Sequence, residues 1–537
     1  MKQILLICFL YSISISVCYT QDIFKFSPVD ANVTIINVVD LACPSTLSGG
    51  SGQAILGFNY INTTSNQIFG ACSFIEKSGV IATTKAIVGT TQNIDIQKLI
   101  HSGTAIYLIG AIGSNSQKAF IIKVNNADKS IIWSKIIAPN QPENNLVPRD
   151  IIISRNRIYI LGDYYLNRGP AGANKMVLFS MDENGILDWN QVLNASDFSS
   201  DELAGGMTLS PRNSIIITGT SIQKQNFATN VLVADFQISG ALIRTKKMQF
   251  YNGSQSEEYV PGKTFIKTNS VNIHLATQAI GEKLDAGSIL ITMLDTAFNL
   301  RTWRNYSPII RMESFEIANS VFILSGQQPI EADGQGFGFV KINGANAIVE
   351  KEVVYKEGFK NTSAATTSHA NFHGSWKNYI MAMKSNNLES NFIGFVINDA
   401  DGSNPCETEI FHNVTKDPVV LSDLSFSAEP NNFTINDPNL SFDNFEFHTQ
   451  SLCRISSTDE TSQNEFFITP GISDGLFQLN KINEITFLNV FDVWGNIVYS
   501  QSNSISQSID LRSMAKGIYF VSIHRAGKNL IQKIVVQ

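Results

Sequence analysis

One apolar strand motif recurs seven times along the chain at a nearly constant interval, and few folds can accommodate that. It reads Ala54-Ile-Leu-Gly57, Ile106-Tyr-Leu-Ile-Gly110, Ile158-Tyr-Ile-Leu-Gly162 and Ile215-Ile-Ile-Thr-Gly219. It continues, degraded, as Ile273-His-Leu-Ala-Thr277, Phe322-Ile-Leu-Ser-Gly326 and Tyr379-Ile-Met-Ala-Met383. The copies end at 57, 110, 162, 219, 277, 326 and 383, a mean spacing near 54 residues. After most copies a variable loop leads to a second apolar strand, such as Met176-Val-Leu-Phe-Ser180 or Val231-Leu-Val-Ala-Asp235, and then to a polar turn. A unit built of such short strands cannot bury an apolar face alone and must stack on its neighbours. Solenoid repeats are shorter and more uniform. The pattern therefore predicts an all-β body, a seven-bladed β-propeller over residues 21–405.

Composition agrees with that class. Hydrophobic residues make up 43% of the 537 and charged residues only 16%, below the ~25% usual in soluble domains. Such a chain is neither disordered nor a charged helical bundle. Lys and Arg number 39 against 46 Asp and Glu, which leaves no basic footprint for nucleic acid. The charge is uneven. Residues 406–464 hold ten acids and two bases, whereas 465–537 hold five acids and six bases. The acidic stretch reads as a connector between the body and a small terminal domain.

The first twenty residues look like a signal peptide: Lys2, an apolar run from Ile4 to Val17, then small and polar residues before Gln21. No other stretch is long and apolar enough for a helical membrane span. Removing residues 1–20 leaves Cys43, Cys72, Cys406 and Cys453. An even count in an exported chain suggests two disulfides, and four cysteines permit three pairings. The sequence-local pairing is Cys43–Cys72 and Cys406–Cys453, which closes the connector into a loop.

Trp133, Trp189 and Trp303 follow their repeat motifs by 23, 27 and 26 residues, each after an Asp-containing turn. The pattern resembles the docking motifs of quinoprotein-like propellers, in which tryptophan wedges between blades, and the period is kelch-like in length. The resemblance implies blade packing for these residues. No quinone or metal constellation accompanies it, so no cofactor is expected.

Residues 465–537 resemble the type A C-terminal sorting domain of type IX secretion cargo in Bacteroidetes. The matching residues are Asp474-Gly475-Leu-Phe-Gln-Leu479, Asn489-Val-Phe-Asp-Val-Trp-Gly495-Asn-Ile-Val498, Ile509-Asp-Leu511, Ala515-Lys-Gly517-Ile-Tyr519-Phe-Val521 and Lys533-Ile-Val-Val536. One departure is Thr-Pro-Gly at 469–471, where the family has Pro-Asn-Pro. The resemblance implies a small Ig-like β-sandwich, recognised by the secretion machinery at motif residues Gly475, Gly495, Gly517, Tyr519 and Lys533. It also implies an address at the outer cell surface or beyond. Alternation of short strands with glycine-bearing hairpins supports the sandwich independently.

Candidate chemistry is sparse. His369 and His373 stand four apart, a metal-binding spacing only on a helix. Asp399 and Asp401 open a loop that loosely matches the start of a calcium site but lacks the glutamate at its twelfth position. No nucleophile-elbow or zinc-protease motif occurs, and no catalytic residue is assigned. Two functions remain open: a surface or secreted binding and adhesion protein with an extracellular glycan or protein ligand, and a polysaccharide-active enzyme on the same scaffold. Facing carboxylates in a central funnel would favour the enzyme.

Overall fold

The computed structural model describes most of the chain from Asp22 to Gln537. Outside the described residues lie 1–21, 43–52, 281–287, 356–361, 371–377, 386–392, 398–406, 455–467 and a number of shorter loops. No described helix is long and apolar enough to cross a membrane. The chain divides into two units, 1–454 and 455–537.

Every described element of the first unit is β structure, and each sequence repeat becomes one antiparallel sheet. The first sheet shows the plan. Val33–Ala42 is innermost, followed by Ala54–Asn62, Gln67–Ile75 and Ile81–Val88. Among the described residues seven such sheets occur, and the repeated motif is always the second strand. That strand is mostly apolar because it is covered on both faces, as Ala105–Ile112 is at every residue. The innermost strands neighbour one another in cyclic order, with Thr362–Ala370 of the last sheet beside Val33–Ala42 of the first. The body is thus a propeller-type ring.

Closure differs from the pairing that the sequence suggests. An unpaired propeller edge invites aggregation, so the sequence predicts that an early strand, around residues 33–39, closes the ring on the last blade. That strand, Val33–Ala42, instead opens the first sheet. The closing strand is Asp22–Pro28, which pairs with Ile393–Ile397 through Phe24↔Phe395 and Phe26↔Ile393. Phe26 is fully buried and commits this strand to the ring.

The acidic segment is not a free connector. From Glu407 to Arg454 it returns around the ring in reverse order and adds a fifth, outermost strand to every sheet. Glu407–Glu409 joins the sixth sheet, Val414–Thr415 the fifth, Val419–Asp423 the fourth and Phe426–Glu429 the third. Phe433–Asn436, Ser441–Phe445 and Phe447–Arg454 then join the second, first and seventh. Its phenylalanines hold it in place. Phe433 meets Tyr164 and Phe179 edge-on at 5.3 and 4.9 Å, and Phe445 and Phe447 flank Phe58 at 5.8 and 5.4 Å. An outer strand covering each sheet edge removes the edge as a template for aggregation. Of the carboxylates that looked like a linker's solvating charge, Glu429, Asp437, Asp443 and Glu446 are exposed.

The expected disulfides fare differently. Cys72 is a free thiol in the core between the first two sheets, and burial pushes its pKa up to about 12. Cys43 and Cys406 lie outside the described residues, and Cys453 is paired in register with Ile23.

The second unit is a sandwich. A three-stranded sheet (Ile468–Thr469, Leu476–Leu479, Ser508–Asp510) faces a five-stranded one of Ile472–Ser473, Lys528–Val536, Gly517–Arg525, Ile485–Phe491 and Ile497–Ser502. Between them lies a core that includes Phe477, Leu488, Val490, Ile509, Val521 and Ile534. Gln532 clasps the start of this unit, donating to Ile468 O at 2.8 Å and accepting from Ile468 N at 3.0 Å.

Candidate functional site

The innermost strand of each sheet carries a β-bulge near its first half. The register shifts at Val39, Gln97, Arg149, Gly205, Lys263, Glu313 and Ala364 in the seven sheets, with a second shift at Ile36 in the first and Gly262 sharing the shift in the fifth. A bulge re-aims the extra side chain and bends its strand. Val39, Gln97, Arg149, Gly205, Lys263 and Glu313 line a central cavity of about 570 Å³.

The walls of this cavity are charged. Lys98 pairs with Asp40 at 3.3 Å, Arg149 with Asp163 at 2.6 Å, Lys263 with Glu313 at 2.7 Å and Lys267 with Glu316 at 2.9 Å. The carboxylates also stitch neighbouring sheets. Asp40 accepts from Leu99 N of the next sheet at 3.1 Å, and Asp163 accepts from Ala204 N at 2.7 Å. Asp150 accepts from Ile151 N and, across the sheet boundary, from Met207 N at 2.7 Å. Burial pushes the Asp150 carboxyl up, against the opposing pull of Lys98, the Met207 amide and Lys267. Burial would lower the Lys98 ammonium, and the fields of Asp40, Asp150 and Glu316 more than reverse this. Gly205 has no room for a side chain: a Cβ would lie 2.6 Å from Thr264 O of the next sheet.

None of these residues stood out in the sequence. Inner strands alternate apolar and polar residues like any half-buried strand, and a bulge leaves no trace without its partner strand. The one available signal was the charged residues in several of the strands that precede a repeat motif, such as Arg149 and Asp150 or Lys263 and Lys267.

The tryptophans divide. Trp133 donates from Nε1 to Glu183 O of the third sheet at 3.1 Å, and Trp189 donates to Ile238 O of the fourth at 3.0 Å. Each indole lies on a turn glycine of the next sheet. A Cβ on Gly185 would meet Trp133 Cη2 at 3.3 Å, and one on Gly240 would meet Trp189 Cδ2 at 2.8 Å. These two wedge between blades. Trp303 does not share their register. Its partner is Thr292, whereas the equivalent of the Ser180↔Trp189 pair is Met293↔Thr302. Counting residues from the repeat motif missed a one-residue offset, which in a strand exchanges the two faces.

His369 lies in the strand Thr362–Ala370, while His373, Asp399 and Asp401 lie outside the described residues. Among the described residues no group of three metal-ligating side chains converges.

In the second unit the motif residues take distinct places. Gly475 makes a turn at φ +108°, and a Cβ there would lie 2.8 Å from Arg512 Cα. Tyr519 is buried and donates its hydroxyl to Ala515 O at 2.6 Å, tying down the chain before its strand. Gly517 opens the strand Gly517–Arg525 at φ +158°, a backbone that side-chain-bearing residues rarely adopt, although a Cβ added there would meet nothing within 4 Å. Lys533 is exposed and opposite Phe520, and Gly495 lies outside the described residues.

No curated protein matches the chain significantly. Among the solved structures that resemble it are three at 8–10% identity. One is a protein of unknown function from Dyadobacter fermentans, which covers 71% of this chain and 100% of its own with a TM-score of 0.40. Another is the phage phi92 endosialidase, at 73% and 70% with a TM-score of 0.36. The third is a neuraminidase-like protein from A/bat/Guatemala/164/2009, at 71% and 94% with a TM-score of 0.37. Residues 472–537 match the family model of the secretion system C-terminal sorting domain, so the chain carries at its end the sorting address of a protein exported to the cell surface or beyond.

Proposed function

We propose that this protein is a type IX secretion cargo whose seven-bladed body binds an extracellular glycan or protein ligand at the cell surface or after release. A signal peptide at 1–20 takes it across the inner membrane, and the sorting domain engages the secretion machinery. The observation that carries the binding reading is the state of the channel carboxylates. A glycosidase of the usual kind sets one carboxylic acid and one carboxylate facing each other across the substrate. Here Asp40, Asp163, Glu313 and Glu316 each meet a Lys or Arg at 2.6–3.3 Å, and two backbone N–H groups hold Asp150. A surface of matched charges suits recognition rather than proton transfer.

The second reading, a polysaccharide-active enzyme, draws on Asp150 alone, since a carboxyl raised by burial is the usual general acid. The mature protein applied to a glycan and host-matrix array, read for both binding and turnover, separates the two. Retention without cleavage is expected. Cleavage products that disappear in Asp150→Asn would establish the enzyme instead.

A further inference from the structure

The five-stranded sheet of the second unit turns one face to the domain core and the other outward. Tyr519, Val521 and Ile523 of the strand Gly517–Arg525 are buried in that core, so Ile518, Phe520 and Ser522 between them point away from it. The outer face of a half-solvated antiparallel sheet is ordinarily polar. Here Ile518 is 40% exposed and Phe520 39%. Their cross-strand neighbours continue the apolar surface. Phe520 is in register with Phe491 on one side and Lys533 on the other, Phe491 with Ile497, and Ile518 with Val535. Residues so paired share a face, their Cβ atoms about 5 Å apart. Ile497, Phe491, Phe520, Ile518 and Val535 therefore form one patch across four adjacent strands, with Ile497 58% exposed at its edge.

The sorting-motif residues have a different placement. Gly475 and Gly517 have no side chain to offer, and Tyr519 is buried. Among the described motif residues only Lys533 presents a side chain to solvent, and it borders the patch beside Phe520. The patch amounts to on the order of 400 Å² of apolar surface, about half of the ~800 Å² that each partner gives to a stable complex. That size suits a contact that forms and is released rather than a permanent dimer.

We infer that this patch, with Lys533 at its border, is the surface by which the sorting domain is read. Its partner is a protein of the secretion machinery that offers an apolar groove and a carboxylate opposite Lys533. The inference rests on the export reading above and locates its contact on exposed side chains that the motif residues only hold in place.

The test follows the full precursor in cells with a working type IX system. Ile518→Thr combined with Phe520→Thr removes the centre of the patch and keeps residues suited to a strand. The exported fraction is expected to fall about tenfold, the loss in affinity that one buried apolar side chain represents. Leu476→Thr, which removes a 40% exposed leucine from the other sheet, is expected to export normally. A photoreactive benzoyl-phenylalanine in place of Phe520 is expected to cross-link to a component of the machinery, and one in place of Leu476 is not. Normal export of the double variant overturns the inference, as does equal loss in the Leu476 variant with a native spectrum. A cross-link from position 520 only to a second copy of the chain, or to its own body, overturns it likewise. Where the double variant loses its native circular dichroism, the cross-link alone decides. Deletion of 455–537 tests the export reading itself. Normal export of the truncated protein defeats that reading, whereas its retention alongside normal export of the double variant defeats only the patch.

Discussion

Arg244 lies with its guanidinium 4.5 Å from the ring centre of Phe298 in the next sheet and donates to Thr296 O at 2.6 Å. It occupies the register at which Trp189 stands one sheet earlier, and Phe298, at φ +66°, occupies the turn position of Gly240. The wedge has been inverted, with the aromatic ring moved from the strand to the turn. Its charge is met by Asp235, where the third sheet has Ser180. Arg244→Trp alone is expected to cost roughly 3 kcal/mol, because it strands the buried Asp235 carboxylate and sets an indole against a phenyl ring. Adding Asp235→Ser and Phe298→Gly rebuilds the neighbouring wedge and is expected to recover most of that loss. Urea midpoints of the single and triple variants decide it, and a triple variant no better than the single one disproves the equivalence.

The outer strands from 407 to 454 make the body larger than the repeat alone. A fragment ending at 405 exposes all seven sheet edges and loses Phe433, Phe442, Phe445 and Phe447. At roughly 2 kcal/mol for each phenylalanine, this approaches the stability of a whole domain. Residues 22–454 are expected to purify as a folded monomer and residues 22–405 to aggregate. Size-exclusion chromatography and circular dichroism of the two fragments check this.

His274 is fully buried beside Phe322, its Nε2 3.0 Å from Asn269 Nδ2, and burial lowers its pKa to about 4. The unfolded chain binds its proton near the ordinary 6.5, so between that value and the folded one the unfolded state holds more protons and folding weakens as pH falls. The loss is complete below the folded value and amounts to roughly 3 kcal/mol. Urea denaturation of the mature protein at about pH 7.5 and about pH 4.5 is expected to show it, and His274→Leu to flatten that part of the profile.

Export is expected to be more sensitive to Gly475 than to Gly517. A valine at 475 combines a left-handed backbone, at about 1–3 kcal/mol, with a backbone clash at 2.8 Å that no rotamer relieves. The sorting domain is therefore expected to unfold and the protein to be retained inside the cell envelope. Gly517→Val meets open space and bears only the backbone strain of φ +158°, without the clash at Gly475. Fractionation into cells, envelope and medium measures both. Normal export of the Gly475 variant shows that the turn is dispensable for the address.

The repeat, the all-β class and the sorting domain were legible in the sequence because each is written locally. A strand buried on both faces reads as a near-continuous apolar run such as Ala105–Ile112, and the glycines of the sorting motifs stand at fixed distances from such strands. What the sequence hid is long-range pairing. Asp22↔Arg454 and Lys85↔Asn444 join residues hundreds of positions apart, and strands of two to five residues such as Val414–Thr415 carry no periodicity of their own. An acidic, Asn- and Ser-rich segment therefore reads as linker, although its phenylalanines every few residues are what fasten it to the ring. The channel was hidden for the same reason. A bulge exists only relative to the partner strand, so the tertiary structure alone decides that Arg149 and Lys263 meet Asp163 and Glu313 in the wall of one cavity.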